Sequence, residues 1–184
     1  MLQISSLAPI PIIAEPPGNS DSTAFEQHYH ETLSMMRQTK LSEFAADSKM
    51  PFALKQRQIE LPMLEYSVAL ARSSPKWRQV IVKSLIENIE QGPGHFSVHR
   101  AKDALKQIAL AIGIPNLSSM LKSQDLTESE QAAELLGWLK NSRAAQPLLM
   151  SLKSDHPLRQ RIGDIVGQHY SQYRIEAATF EVIS

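Results

Sequence analysis

The side chains best suited to metal binding lie near the start of one helical segment. His95, His99 and Asp103 are spaced four residues apart, and on a continuous helix such residues share a face, as metal ligands can. However, Ser97 is the better helix start, because serine accepts a hydrogen bond from the first free backbone N–H groups. A helix that begins at Ser97 leaves His95 outside it, so the spacing does not predict a metal site.

Motifs for nucleotide binding and nucleophilic catalysis are absent from the sequence. The chain has no cysteine, which excludes thiol catalysis and cysteine-bound zinc. It also lacks a glycine-rich phosphate loop, a dinucleotide-binding turn and a nucleophile elbow. Glu87 and Glu90 have the spacing of a solvated helix surface. We therefore predict a protein that is not an enzyme and uses no cofactor or metal; the alternative is an enzyme, or a secreted bacterial effector, whose site the sequence does not expose.

Basic side chains recur around the predicted turns of residues 135–168. Five of them form what we call the basic set: Lys140, Arg143, Lys153, Arg159 and Arg161. None is needed for the apolar faces of the helices, so we predict that they bind a partner protein, the alternative being a solvated charged rim. Charges at the edge of an interface mainly set the encounter rate and the choice of partner.

The basic set belongs to the stretch that organises the chain, residues 135–168. This stretch contains three apolar runs with helical periodicity, separated by short polar breaks at Asn141-Ser142 and Ser154-Asp155. Such runs predict antiparallel helices joined by tight turns. Because each helix has one apolar face that it cannot bury alone, stacking on a neighbouring hairpin is expected.

Several residues of this stretch occur in a recognisable order. Arg143-Ala144 and Pro147 are followed by the turn Leu152-Lys153-Ser154-Asp155, and Pro157 with Arg159 opens the next helix. In this order they resemble one HEAT-like repeat, of the short kind also found in phycobilisome-lyase-like proteins. The resemblance implies an all-α fold, a right-handed stack of antiparallel helix hairpins (an α-solenoid) and a role as an adaptor or regulator that binds another protein. Some HEAT-like arrays bind DNA, which is the third function considered.

The composition favours helices and disfavours some partners. Apolar residues make up 42% of the 184 residues but aromatic residues only 6%, which favours helices over a β-sandwich or β-barrel. The formal net charge is zero, which argues against strong nonspecific binding to nucleic acid or anionic membranes. No apolar run approaches the roughly 18 residues of a membrane span. We therefore predict a cytoplasmic protein, its oligomeric state left open.

The N-terminal segment differs in composition from the rest. Residues 1–19 contain four of the eleven prolines and no charged side chain before Glu15, which predicts an extended, flexible leader. A Sec signal peptide needs basic residues before an unbroken apolar run, and this segment has neither. Its uncharged composition, rich in serine and isoleucine, resembles the leaders of bacterial type III secretion substrates, which implies export by a route other than Sec.

A single all-helical domain is predicted after the leader, over residues 20–184. Residues 20–50 form a satellite helix in this prediction, residues 51–174 the hairpin array and residues 175–184 a C-terminal tail. Within the array, Pro62 is expected to separate two helices, because proline interrupts the hydrogen bonds of a helix.

Three further helix features are predicted inside the array. Ser74-Pro75 is a strong start signal for a helix, and Thr127 with Glu130 forms a capping box that opens a helix over residues 128–140. The last helix, residues 157–173, contains Gly163 and Gly167, and glycine costs about 1 kcal/mol inside a helix. The expected compensation is close approach of a neighbouring helix backbone at these two positions.

Overall fold

The structure, a computed structural model, describes residues 22–45, 49–92 and 94–171. These residues form eight α-helices and no strand, which confirms the predicted all-α fold. The predicted leader and C-terminal tail lie outside the described residues. The helices are α1 Ser22–Ala45, α2 Phe52–Ser73, α3 Pro75–Gln91, α4 Val98–Ile112, α5 Ile114–Met120, α6 Leu126–Leu139, α7 Ser142–Lys153 and α8 Arg159–His169.

The chain divides into two compact units, residues 1–66 and 67–184, and the boundary falls inside α2. In the first unit, α1 buries Phe25, Tyr29 and Leu33, which recur at helical spacing as an apolar stripe must. None of the helices in the described ranges has an apolar stretch long enough to cross a lipid bilayer.

The helix α2 passes through Pro62 without a break, so the prediction that this proline separates two helices is wrong. Proline inside a helix removes one backbone hydrogen bond and costs about 3 kcal/mol. Ile59 and Met63, on either side of it, are buried, and full burial of such side chains contributes about 1.5–3 kcal/mol each. Their burial therefore offsets the cost of the proline.

In the second unit, α6 is the central helix. It contacts α3, α4, α5, α7 and α8, and every residue from Ala132 to Leu139 is buried. A helix that is buried on all sides must be surrounded by other helices, as α6 is. Further contacts join α3 to α4, α4 to α5, α5 to α7 and α7 to α8.

Side chains at the helix starts confirm one prediction and correct another. Ser74 Oγ accepts a hydrogen bond from the backbone N–H of Trp77 at 3.3 Å, and Pro75 is the first residue of α3, as predicted. At α6, however, Asp125 Oδ1 accepts from the backbone N–H groups of Thr127 and Glu128, at 2.9 and 3.3 Å. The capping-box prediction is therefore wrong, because an aspartate two residues earlier provides the cap and suits the positive end of the helix dipole.

The last helix is shorter than predicted at both ends. Before α8, His156 Nδ1 accepts a hydrogen bond from the backbone N–H of Leu158 at 3.1 Å, which fixes Leu158 in the turn. After α8, Tyr170 leaves helical geometry, and its hydroxyl donates to the carbonyl of Leu136 at 2.7 Å. That carbonyl lies in the last turn of α6, where carbonyls have no partner within the helix, so Tyr170 ends α8 and caps α6.

Close helix approach occurs at a glycine that was not predicted. A Cβ atom on Gly163 would lie 3.9 Å from its nearest neighbour, and one on Gly167 would meet nothing within 4 Å. The prediction that these two glycines admit a neighbouring backbone is therefore wrong. On α6, a Cβ atom on Gly137 would lie 2.8 Å from side-chain atoms of both Ile165 and His169, so Gly137 is the residue that lets α8 pack on α6.

Candidate functional site

An open groove lies between α5 and α7 in the second unit, with a volume of about 570 Å³. We call it the α5–α7 groove. Its residues come from the end of α5, from α7 and from the turn before α8: Ser118, Leu121, Lys122, Arg143, Gln146, Pro147, Met150, Ser151, Ser154 and His156. The α7 residues recur every three or four positions, so they form one face of that helix.

The floor of the α5–α7 groove is apolar. It is formed by Leu121, Pro147 and Met150, and the Met150 side chain is 61% exposed. The methionine thioether is flexible and packs against many apolar shapes, which is why methionine is frequent at surfaces that bind several partners.

The polar side chains of the groove fall into two groups. Its three serine hydroxyls each donate to a backbone carbonyl about one helical turn earlier, at 2.7 to 3.1 Å. Lys122, Arg143 and Gln146, in contrast, have no side-chain hydrogen bond or ion pair with the part of the chain that the structure describes. The groove therefore offers two cations and one amide to a ligand, and its lining contains no acidic residue.

The histidine of the α5–α7 groove, His156, has a structural role. His156 Nε2 lies 2.9 Å from the carbonyl of Leu121, while Nδ1 accepts from the N–H of Leu158, which selects the tautomer with the proton on Nε2. Ser129 Oγ lies 3.5 Å from Nε2, but it donates to the same Leu121 carbonyl at 2.7 Å and is fully buried. A catalytic serine must instead donate to the histidine, so this pair ties α5 to α6 and α8.

A second groove, of about 310 Å³, lies between α3 and α6, and we call it the α3–α6 groove. Arg161 Nη2 lies 2.6 Å from Glu134 Oε1, and Arg161 Nε lies 3.4 Å from Glu130 Oε1. Lys83 Nζ lies 3.8 Å from Glu87 Oε1. Each cation of this groove therefore faces a carboxylate of the protein, which neutralises the positive charge.

Glu134 explains why Arg161 is needed in that position. The glutamate is only 6% exposed. Its burial raises the pKa of the carboxyl group, which the positive charge of Arg161 opposes and the negative charge of Glu130 reinforces. Because the net direction is upward, the ion pair does not fully offset the cost of removing the carboxylate from water. Arg161 therefore stabilises a buried charge and serves the fold.

Two aromatic rings pack where α6 meets α8. Trp138 and His169 lie edge to face with 4.6 Å between ring centroids. Burial lowers the pKa of His169 to about 4, with smaller effects of Lys140 and Lys102, so the imidazole is neutral at pH 7. Trp138 Nε1 and His169 Nε2 are buried without a hydrogen-bond partner among the described residues. The two rings therefore pack against each other at the cost of two unpaired polar nitrogens. The His169 ring also packs closely against Gly137.

The structure separates the basic set into different environments. Arg143 lines the α5–α7 groove and Arg161 the α3–α6 groove, while Lys140 Nζ lies 5.9 Å from the Trp138 ring centroid, within cation–π range. Lys153 and Arg159 are exposed and line neither groove. The cation that joins Arg143 in its groove is Lys122, which sequence reasoning missed because no motif marks it.

Two of the three residues considered as metal ligands, His99 and Asp103, lie in a surface ion-pair cluster with Arg100. His99 Nε2 and Arg100 Nη1 each lie 3.4 Å from Asp103 Oδ2, so the carboxylate already faces a cation. Within residues 22–45, 49–92 and 94–171, no group of three or more histidine, aspartate or glutamate side chains is placed to hold a metal ion.

Comparison of the chain with protein-family models, with curated proteins and with solved structures finds no match. The function must therefore be inferred from the geometry of the grooves.

Proposed function

We propose that the protein is a non-enzymatic protein-binding module, an adaptor or regulator, whose α5–α7 groove receives the partner. One observation carries this proposal: the exposed Met150 and the half-buried Pro147 lie in one groove with two cations that have no side-chain partner among the described residues. Apolar contact supplies most of the affinity in protein interfaces, and charges at the edge select the partner. The α5–α7 groove offers both.

The helix contacts support a stack of hairpins as the scaffold. Helices α3 and α4, α5 and α6, and α7 and α8 are in contact as consecutive pairs, and contacts also join α4 to α6, α6 to α8 and α5 to α7, while α3 contacts α6 in place of α5 among the described helices. Contacts between alternate helices are expected when hairpins stack in two layers. We infer a right-handed, HEAT-like array of antiparallel hairpins over this part of the chain. Such arrays present extended surfaces to other proteins.

Site-specific photo-crosslinking in the native cell tests the proposal. A photoreactive phenylalanine replaces either Met150 in the groove or Leu110 on α4, outside it. The two side chains are 61% and 60% exposed, so Leu110 controls for random collision. We expect a discrete protein to be crosslinked from position 150 and not from position 110. Equal crosslinking from both positions, or none from position 150, would contradict the proposal.

A further inference from the structure

We propose that the occupant of the α5–α7 groove is a short segment of a partner protein in which acidic residues flank apolar ones. This inference rests on the proposed function and adds the chemistry of the partner. It follows from the charge of the groove, from the order of side chains along α7 and from the nature of the floor.

The charge of the groove favours an acidic ligand. Lys122 and Arg143 give its lining a formal charge of +2, since no acidic residue lines it, whereas the whole chain has a formal net charge of zero. Arg143 is the second residue of α7, where the positive end of the helix dipole adds to its own charge. The positive potential is therefore local to the groove and is not a property of the whole surface.

The order of side chains along α7 sets the spacing of the ligand groups. Arg143, Gln146 and Met150 lie on one face, and seven residues separate the first from the last. At a rise of 1.5 Å per residue this distance is about 10 Å. A carboxylate bound by Arg143 and an apolar side chain on Met150 are then about three residues apart in an extended segment of polyproline II geometry, in which side chains three residues apart share a face at a rise of about 3.1 Å per residue. In a helical segment they are about seven residues apart.

Each of these side chains has a distinct partner on such a segment. The planar guanidinium of Arg143 matches a carboxylate through two parallel hydrogen bonds. The amide of Gln146 both donates and accepts hydrogen bonds, as the backbone of an extended segment requires. Met150 and Pro147 provide the apolar contact. A cation, an amide and an apolar contact in a row therefore recognise a peptide with an acidic and an apolar residue.

A nucleic acid is the competing anionic ligand, and the floor argues against it. Proteins that bind single strands stack bases on aromatic side chains within a positive groove. Apart from His156, the lining of the α5–α7 groove contains no aromatic side chain. Both ring nitrogens of His156 form hydrogen bonds with backbone groups, which fix the ring in place. The apolar floor beside the cations suits aliphatic side chains better than a phosphate backbone.

Fluorescence anisotropy with defined probes tests the inference on the full chain. The first probe is a labelled peptide of about 12 residues with leucine and glutamate three residues apart. The second has lysine for glutamate, the third has serine for leucine, and the fourth is a single-stranded oligonucleotide. We expect the first to bind at least tenfold more tightly than the others, and its binding to weaken as salt is added because ion pairs near water are screened.

Charge reversal locates the binding. We expect Lys122→Glu with Arg143→Glu to weaken the glutamate peptide at least tenfold and to improve binding of the lysine peptide. Glutamate at position 143 is favoured by the dipole in the first turn of α7, whereas glutamate at position 122 follows the C-terminal end of α5, where the dipole opposes it. The two effects oppose each other, so the melting temperature of this variant should change little. Arg159→Glu is the matched control, because Arg159 is exposed and lines neither groove, and it should leave the affinity unchanged.

The outcomes separate this inference from the proposed function. If position 150 crosslinks a protein but the glutamate peptide does not bind, the acidic partner is wrong and the protein-binding function stands. Binding that survives reversal of both groove cations, or that is matched by the oligonucleotide, also overturns the inference. If no probe binds and position 150 crosslinks nothing, both proposals fail.

Discussion

The two grooves of the second unit contain the same number of basic residues and use them differently. In the α3–α6 groove, Arg161 lies 2.6 Å and Lys83 3.8 Å from a glutamate oxygen. The α5–α7 groove contains Lys122 and Arg143, and no acidic residue is among the residues that line it. The difference is made by the position of the carboxylates. A basic residue is available to a partner only where the fold has not paired it.

The two grooves also lie in regions of different packing density. We call the α3–α6 groove together with the contact between α6 and α8 the closed side of the second unit. There, Gly137, Trp138 and His169 fit so closely that one added methyl group would collide. In the α5–α7 groove, Met150 remains largely exposed. The comparison predicts that substitutions on the closed side reduce stability and that substitutions in the α5–α7 groove reduce binding.

The largest effect on stability is expected at Gly137. Gly137→Leu places a Cβ atom 2.8 Å from two side chains and should lower the free energy of unfolding by about 3 kcal/mol through overpacking. Gly167→Leu is the control, because its Cβ atom meets nothing within 4 Å. That variant should gain about 0.5 kcal/mol, since leucine is the better helix former. Urea unfolding measures both, and equal losses would show that Gly137 is no closer to its neighbours than Gly167.

A smaller effect, visible only as pH changes, is expected at His169. Its pKa falls from the ordinary 6.5 to about 4 on folding, so the folded state prefers the neutral ring and protonation favours the unfolded state. The contribution of His169 to the free energy of unfolding is therefore fully present above pH 6.5 and is lost as the pH falls toward 4. It amounts to about 2 kcal/mol once partial exposure to water is discounted.

The variant His169→Phe isolates that contribution. Phenylalanine cannot be protonated, so the free energy of unfolding of this variant should fall less than that of the wild type between pH 7 and pH 4. Other titrating groups affect both proteins equally, and the difference between the two curves belongs to His169. Parallel curves would mean that the ring is solvated in the folded protein.

Replacing either Arg161 or Arg143 should change the free energy of unfolding by no more than the contribution of His169. Arg161→Met leaves the buried carboxylate of Glu134 without its cation and should cost about 1–2 kcal/mol at pH 7, a discounted value because the Arg161 side chain is 42% exposed. Because burial raises the pKa of Glu134, protonation relieves the loss as the pH falls. Arg143→Met should change stability by less than about 0.5 kcal/mol.

The smallest change in stability is expected at Met150. Met150→Ser removes an apolar side chain that is already 61% exposed, so the free energy of unfolding should change by less than about 0.5 kcal/mol. The affinity for the glutamate peptide should fall about tenfold, because the apolar contact of the segment is lost. Calorimetric titration beside a thermal melt checks both quantities. A lowered melting temperature would place Met150 in the core and remove it from the binding surface.

Local signals in the sequence predicted the helices well where they acted alone. Ser74-Pro75 starts α3 because the serine cap and the fixed proline geometry are properties of neighbouring residues. One local prediction failed, at α6, where Asp125 provides the cap in place of Thr127. The other failures came where distant residues decide the outcome. The helix α2 crosses Pro62 because the side chains around it are buried, and Gly137 is required by α8, a helix that begins more than twenty positions later.

The same limit applies to the candidate groove. The sequence predicted that Arg143 binds a partner and grouped it with Arg161, which the fold pairs with Glu134. Lys122 could not be foreseen, because only the contact between α5 and α7 brings it to the same groove as Arg143. A sequence gives the number of charges, and the tertiary structure determines which of them are left for a ligand.

The central claim is that Arg143 serves binding and Arg161 serves the fold, and reversing each charge in turn tests it most directly. Arg143→Glu and Arg161→Glu are compared by melting temperature and by the affinity of the folded protein for the glutamate peptide. For Arg143→Glu we expect an unchanged melting temperature with at least tenfold weaker binding. For Arg161→Glu we expect a lowered melting temperature with retained affinity. The opposite pattern, a destabilised Arg143→Glu beside a stable Arg161→Glu that no longer binds, would contradict it.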